Sequence, residues 1–216
     1  VARPRTPEHP APAAPDGRRP PGARTAPRER PLEAEYRPRT PVDVRRAVGH
    51  QQRGAHDPSQ REVDGVVWRA TRTPLGVASL ALRIERTRVR AAAWGPGAEW
   101  ALDQLPALCG AADSPDGFDA SPHPLVAAVH ERHPGLRIGR TDLVFDALVS
   151  AVFEQKVTGL QAFGAWRMIL TWHGERAPGP TPIPMFAPPA DWHAIPSWTW
   201  HRAGLEPPQS RTITAA

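Results

Sequence analysis

The chain has 216 residues, 40% of them hydrophobic, a formal net charge of +5 and one cysteine, Cys109. That is enough for one large domain or two small ones with a buried core, while a lone cysteine excludes an internal disulfide and any four-cysteine zinc or iron–sulfur site. No apolar run approaches the roughly 20 residues of a membrane span and no apolar signal core opens the chain, so the sequence reads as a soluble, cytoplasmic protein with no membrane partner.

Charge is unevenly placed. Residues 1–40 carry nine Arg and five acidic residues, whereas the remainder carries 18 basic and 17 acidic ones. The body therefore has no basic excess to serve as an electrostatic footprint for nucleic acid. Residues 1–41 also hold eleven of the 28 prolines and almost no large apolar side chains. Proline removes a backbone donor, and such a composition cannot bury enough surface to fold. The segment is expected to be a disordered tail.

A second unit is expected over 42–120. Val42–Val48 reads as its first strand. Val66, Trp68 and Ala70, then Leu80, Leu82 and Ile84, then Val89, Ala91 and Ala93 alternate with more polar positions. That period of two predicts an antiparallel sheet with one face on a core and one toward water. Thr73-Pro74-Leu75-Gly76 and Arg86-Thr87 are its turns. Gly95-Pro96-Gly97 closes the sheet, and Pro96 suits the first turn of a helix carrying Trp100, Ala101, Leu105 and Leu108.

Residues 121–216 read as helical. Leu125, Val126, Val129 and His130 share one face of a short helix. A long, mostly buried helix follows, with Thr141 as N-cap, Asp142 in its first turn, and Val144, Leu148, Ala151, Val152 and Gln155 along one stripe that Phe145, Val149 and Phe153 widen. Gly159 separates it from a helix bearing Leu160, Phe163, Trp166, Ile169 and Leu170. The six prolines of 178–189 make an irregular connection. Short helical patterns surround 191–195 and 197–203, and 210–216 reads as the opening of another helix.

The turn Glu154-Gln155-Lys156-Val157-Thr158, at the end of the long helix, resembles the Gln-Gln-Val-Ser type segment of helix-hairpin-helix DNA glycosylases. The bacterial DNA-3-methyladenine glycosylase II family is the nearest resemblance. Ile195-Pro196-Ser197-Trp198-Thr199-Trp200-His201-Arg202-Ala203-Gly204 resembles the short helix and turn that precede the hairpin there. The resemblance covers roughly 42–216. It implies an α+β chain: a tail, a small antiparallel sheet domain, then the first part of an all-helical glycosylase body. It implies a monomer that binds double-stranded DNA with alkylated bases and removes alkylated purines such as 3-methyladenine in base-excision repair, with no metal and no cofactor.

Such an enzyme must extrude its target nucleotide, and a side chain at a helix end can wedge into the gap. The resemblance places Gln155, Lys156 and Thr158 at that DNA-binding corner. Lys156 is the only lysine of the chain and departs from the apolar or amide wedge of the family, which points it at phosphate or the opposite strand. Trp198 and Trp200 are the candidates for a base pocket, where an electron-poor base stacks on a ring; Trp68, Trp94, Trp100 and Trp166 read as core. His123, His130 and His133 cluster in sequence but nothing completes a metal set, and Asp142, Asp146 and Asp191 match no catalytic position. No Leu-Pro-Gly-Ile-Gly type hairpin occurs in 1–216, so the chain is expected to stop before the hairpin and catalytic Asp and to be inactive alone. A non-catalytic DNA-binding or interaction module is the alternative.

Overall fold

The computed structural model describes residues 30–216. Most of the expected tail, 1–29, lies outside the described residues. Its end does not: Leu32–Tyr36 forms strand β1, paired antiparallel with a later strand from Leu32 opposite Ala93 to Tyr36 opposite Val89. The Leu-Glu-Ala-Glu-Tyr alternation survives among prolines because Ala34 and Tyr36 pack into the core of the sheet. The first strand expected at 42–48 is instead helix α1, Val44–Gly49. Asp43 caps it, accepting from the Arg46 amide at 3.1 Å, and Val44, Ala47 and Val48 are buried, a helical spacing rather than a strand one.

Four more strands complete a five-stranded antiparallel sheet: β2, Gln60–Val63; β3, Val66–Thr73; β4, Gly76–Ile84; and β5, Val89–Trp94. Their spatial order is β1-β5-β4-β3-β2. The β2–β3 hairpin turns on Asp64-Gly65, both at positive φ (50° and 74°), the conformation that a two-residue hairpin loop favours. The β3–β4 turn is where sequence placed it, with Thr73 opposite Gly76 and Gly76 at φ 121°.

The expectation of one wet face fails at the centre of this sheet. Val77, Ala78, Ser79, Leu80, Ala81 and Leu82 are all buried. One face packs on α1, α2 (Ala98–Asp103) and α3 (Leu105–Leu108). The other is covered by Trp94, stacked on Trp68 with centroids 5.7 Å apart, and by the proline-rich connection. Gly179 lies so close to Trp94 that a Cβ would meet its ring at 2.5 Å. Within that connection a two-stranded ribbon, β6 (Glu175–Arg176) and β7 (Phe186–Ala187), lies beside β3.

The second half holds α4 (Pro124–Arg132), α5 (Val144–Phe153), α6 (Gly159–His173), α7 (Ser197–Arg202) and α8 (Pro207–Ala215). Residues 191–195 form a turn rather than a helix, because the Asp191 carboxylate accepts from the amides of His193 and Ala194. A second core gathers Val149, Val152, Phe153, Trp166, Ile169, Leu170, Trp192, Trp200 and Ile213. Helix α5 begins two residues later than expected. Leu143 is its N-cap, and Asp142 adopts φ 55° and pairs with Arg140, so neither Thr141 nor Asp142 plays the predicted capping part. Among the described residues no helix is long and apolar enough to cross a membrane.

Several apolar side chains expected inside are outside. Helix α4 buries none of its residues, and Leu125 is 64% exposed, while Val144 on α5 is 81% exposed. The isolated chain is therefore expected to self-associate at micromolar concentration. Leu125→Lys combined with Val144→Lys should shift it toward monomer in sedimentation velocity while changing stability by less than ~0.5 kcal/mol per site.

Candidate functional site

The chain reverses direction between α5 and α6 through residues 154–158. Gln155, Lys156 and Thr158 are all exposed there. Lys156 sits at φ 59°, a left-handed conformation that costs a lysine about 1 kcal/mol and sharpens the turn. Thr158 begins the next helix. Its hydroxyl oxygen accepts from the Gln161 amide at 3.4 Å, and the Gln161 Oε1 accepts from the Thr158 amide at 2.9 Å, a capping box. Its side chain is thus committed to the helix end. The corner is held from behind by Gln209 on α8, a buried residue whose Nε2 donates to the carbonyls of Val152 at 3.0 Å and Gln155 at 3.2 Å. Sequence reading assigned Gln209 nothing. The capping-box spacing of Glu206 and Gln209 was the signal available.

Beside this corner the two halves of the chain are locked by one carboxylate. Asp57, fully buried, accepts from four donors: the Arg53 amide at 2.7 Å, the Ser59 amide at 2.8 Å, the Ser59 hydroxyl at 2.7 Å and the Trp166 indole Nε1 at 3.1 Å. Three donors belong to the loop between α1 and β2, and the fourth to α6. Arg53 then lays its guanidinium over the Trp166 ring, 4.6 Å from the centroid, and donates through Nε to Ser150 Oγ on α5 at 2.6 Å.

Between β3 and α5 these contacts enclose a cavity of about 310 Å³. Its walls include Arg53, Arg69, Asp146, Ser150, Glu154 and Trp166. Glu154 lines it and directly precedes Gln155, so cavity and corner are contiguous. Arg69 on β3 donates through Nη1 to Gln51 Oε1 at 2.5 Å and to Gln60 Oε1 at 2.7 Å. Burial pulls its guanidinium down to about 10, and the nearby Arg53 adds to that fall, against the opposing effect of Asp146 and Asp57. Burial likewise lowers Arg53.

Asp146 is the counterpart of Asp57 without its donors. It is half-buried on α5, and among the described residues no group lies within hydrogen-bond or ion-pair distance of its carboxylate. Burial pushes its pKa up to about 6, although Arg69, Arg53 and Arg72 pull the other way. Sequence reading weighed Asp146 and gave it no role. Arg53, Asp57 and Arg69 were not singled out, and nothing in their spacing along the chain announces that they meet.

The tryptophan candidates are placed elsewhere. Trp200 is 4% exposed in the helical core, donating through Nε1 to the Ile195 carbonyl at 3.1 Å and stacking on Trp192. The expectation that it walls a base pocket is corrected: its neighbours are Phe153 and Trp192, not a cavity. Trp198 is 59% exposed but pairs with Trp172 on the surface, 6.4 Å between centroids, and does not line the cavity. His130 packs edge-on against Phe118.

The fold, a five-stranded sheet followed by a helical half, is similar to that of solved DNA glycosylases. The chain is similar to the 3-methyladenine DNA glycosylase of Archaeoglobus fulgidus at 14% identity and a TM-score of 0.67, covering 84% of this chain and 65% of that one. It is also similar to the 8-oxoguanine glycosylase/lyase of Clostridium acetobutylicum in complex with double-stranded DNA, at 11% identity and a TM-score of 0.54, covering 80% and 57%. The chain thus spans less than two thirds of the length of both. No family model matches the sequence, nor does any curated protein.

Two outcomes test the geometry. Asp57→Ala leaves three kinds of buried donor without an acceptor and should cost about 3 kcal/mol in urea unfolding, more than Trp166→Phe, which removes one of those bonds and part of a buried ring. For Asp146 the folded pKa lies above the unfolded value, so its contribution is fully present below about pH 3.8 and is lost as pH rises through about 6. Asp146→Asn should therefore be more stable than the parent at pH 8, by on the order of 1 kcal/mol after solvent screening. The difference should shrink steadily from pH 6 to pH 4 in thermal melts.

Proposed function

We propose that the chain is the sheet-and-corner portion of a DNA N-glycosylase of base-excision repair that acts on alkylated purines. The observation that carries this reading is the contiguity of an exposed corner, Glu154 to Thr158, with a cavity walled by the same helix. A glycosylase reaches the bond between base and sugar only after the nucleotide leaves the stack, at a cost of a few kcal/mol. A group that fills or braces the gap lowers that cost. Gln155 and Lys156 occupy the exposed turn from which such a group would act, and Gln209 fixes the turn from inside. Lys156, a cation that pairs with no acid among the described residues, suits a phosphate of the opposite strand.

The reaction of this class is hydrolysis: the bond between C1′ and the base nitrogen breaks, the cationic alkylated base leaves as a neutral molecule, and water adds its oxygen to the sugar carbon and releases a proton to solvent. It needs a carboxylate near the sugar carbon and backbone donors to phosphate. The Gly-rich hairpin that supplies those donors does not occur in 1–216. A module that binds a duplex without cleaving is the second reading.

The discriminating measurements use a methylated duplex. The chain should bind it in fluorescence anisotropy with an affinity that falls with salt. Lys156→Gly keeps the left-handed backbone unstrained while removing the charge. It should weaken binding to all sequences and reduce the salt slope by about 1, with stability unchanged within ~1 kcal/mol. Release of free methylated purines by a chain extended past Ala216 supports the enzyme, binding without release by that longer chain supports the module, and no saturable duplex binding overturns both.

A further inference from the structure

We infer that the cavity between β3 and α5 holds an extruded nucleobase, and that the Asp146 carboxylate reads its edge by accepting the paired N–H donors of a guanine-derived base. This rests on the glycosylase reading above.

The argument begins with size. At about 310 Å³ the cavity lies at the lower end of the range of small-molecule sites, roughly 300–1,000 Å³, which suits a single base better than a nucleotide. The charge pattern comes next. Arg69 and Arg72 face Asp146 from β3, and Arg53 faces it from the loop after α1. His50 and Glu154 line the same cavity. A phosphate would meet Asp146 and Glu154, and a free cation would meet Arg53 and Arg69. The walls therefore select a ligand with no large net charge but with donors on one edge and acceptors on another.

Guanine has that arrangement. Its N1–H and exocyclic N2–H lie side by side, and its O6 and N7 are acceptors. An ionised carboxylate only accepts, at two oxygens, so it can take both N–H groups in parallel. The Arg69 head uses Nη1 for Gln51 and Gln60, and Arg53 uses Nε and Nη1 for Ser150 and the Gln51 carbonyl. Among the described residues the remaining guanidinium N–H groups have no partner and are the donors available to O6 or N7. Adenine fits less well, since its corresponding edge offers one donor beside one acceptor. Asp57, by contrast, is excluded as the reader because it is fully buried and already accepts from four protein donors.

The pH dependence follows from the environment of Asp146. Above about pH 6 the carboxylate is ionised and accepts twice; below it the acid keeps one acceptor and gains a donor. The preference for the guanine edge should therefore be strong at pH 8 and fade at pH 5.

The test is titration of the 216-residue chain with guanosine, inosine and adenosine, followed by calorimetry at pH 8 and pH 5. Inosine lacks only the N2 amino group. Guanosine should bind about tenfold tighter than inosine at pH 8, the effect of one hydrogen bond to a charged acceptor, and adenosine should bind more weakly still. Asp146→Asn should erase the guanosine–inosine difference and the pH dependence together, with its fold confirmed by circular dichroism. Equal binding of guanosine and inosine, no saturable binding of either, or a guanosine preference that survives in Asp146→Asn would each overturn the inference. The duplex assay separates the two levels. Lys156-dependent duplex binding without a guanosine preference removes this inference alone. A guanosine preference without duplex binding removes the glycosylase reading and leaves a nucleobase site.

Discussion

The buried carboxylate of Asp57 ties the loop between α1 and β2 to α6, alongside the Arg53–Ser150 and Ser79–Pro178 bonds that also join the two halves of the molecule. It satisfies donors from its own loop and one indole from α6. A charge in that position is tolerable only because every donor around it is directed inward. Take the carboxylate away and the loop between α1 and β2 loses its shape, Trp166 loses its tether, and Arg53 loses the platform on which it stacks. The cavity exists because these three are fixed at once.

Two aspartates in one neighbourhood then show how environment decides behaviour. Asp57 is surrounded by donors; Asp146 stands across from arginines but touches none of them. Burial without partners raises the affinity of Asp146 for its proton. The nearby guanidiniums spend part of their N–H groups elsewhere, on Gln51, Gln60 and Ser150. Asp146 thus keeps its acceptor capacity, whereas Asp57 has spent most of its own on four protein donors.

Much of the architecture was legible from local pattern. The alternation over 66–94 and the turn at Thr73–Gly76 located three strands, and the corner at 154–158 was recognised from its residues and found at the surface. What failed did so for physical reasons. Leu32–Tyr36 was hidden by prolines on either side, although pairing with β5 outweighs composition. Val44 and Val48 read as strand residues because β-branched side chains favour strands, yet a single Asp43 cap and burial at helical spacing won. The face of β4 expected to be wet is covered by residues about a hundred positions away, as the Ser79 hydroxyl meets the Pro178 carbonyl. The cavity could not be read at all. Arg53, Arg69 and Asp146 come from a loop, a strand and a helix, and only the folded chain assembles them. Trp200 shows the converse: an aromatic that sequence made available is consumed by the core.

Gln209 couples parts of the chain that sequence keeps apart. Its amide clasps the carbonyls of Val152, near the end of α5, and of Gln155, just past it and 54 residues upstream of Gln209. The stiffness of the corner is therefore set by α8, which lies on the far side of it. A substitution on α8 that loosened this clasp would leave every exposed side chain of the corner in place and still let the turn yield like a hinge under load.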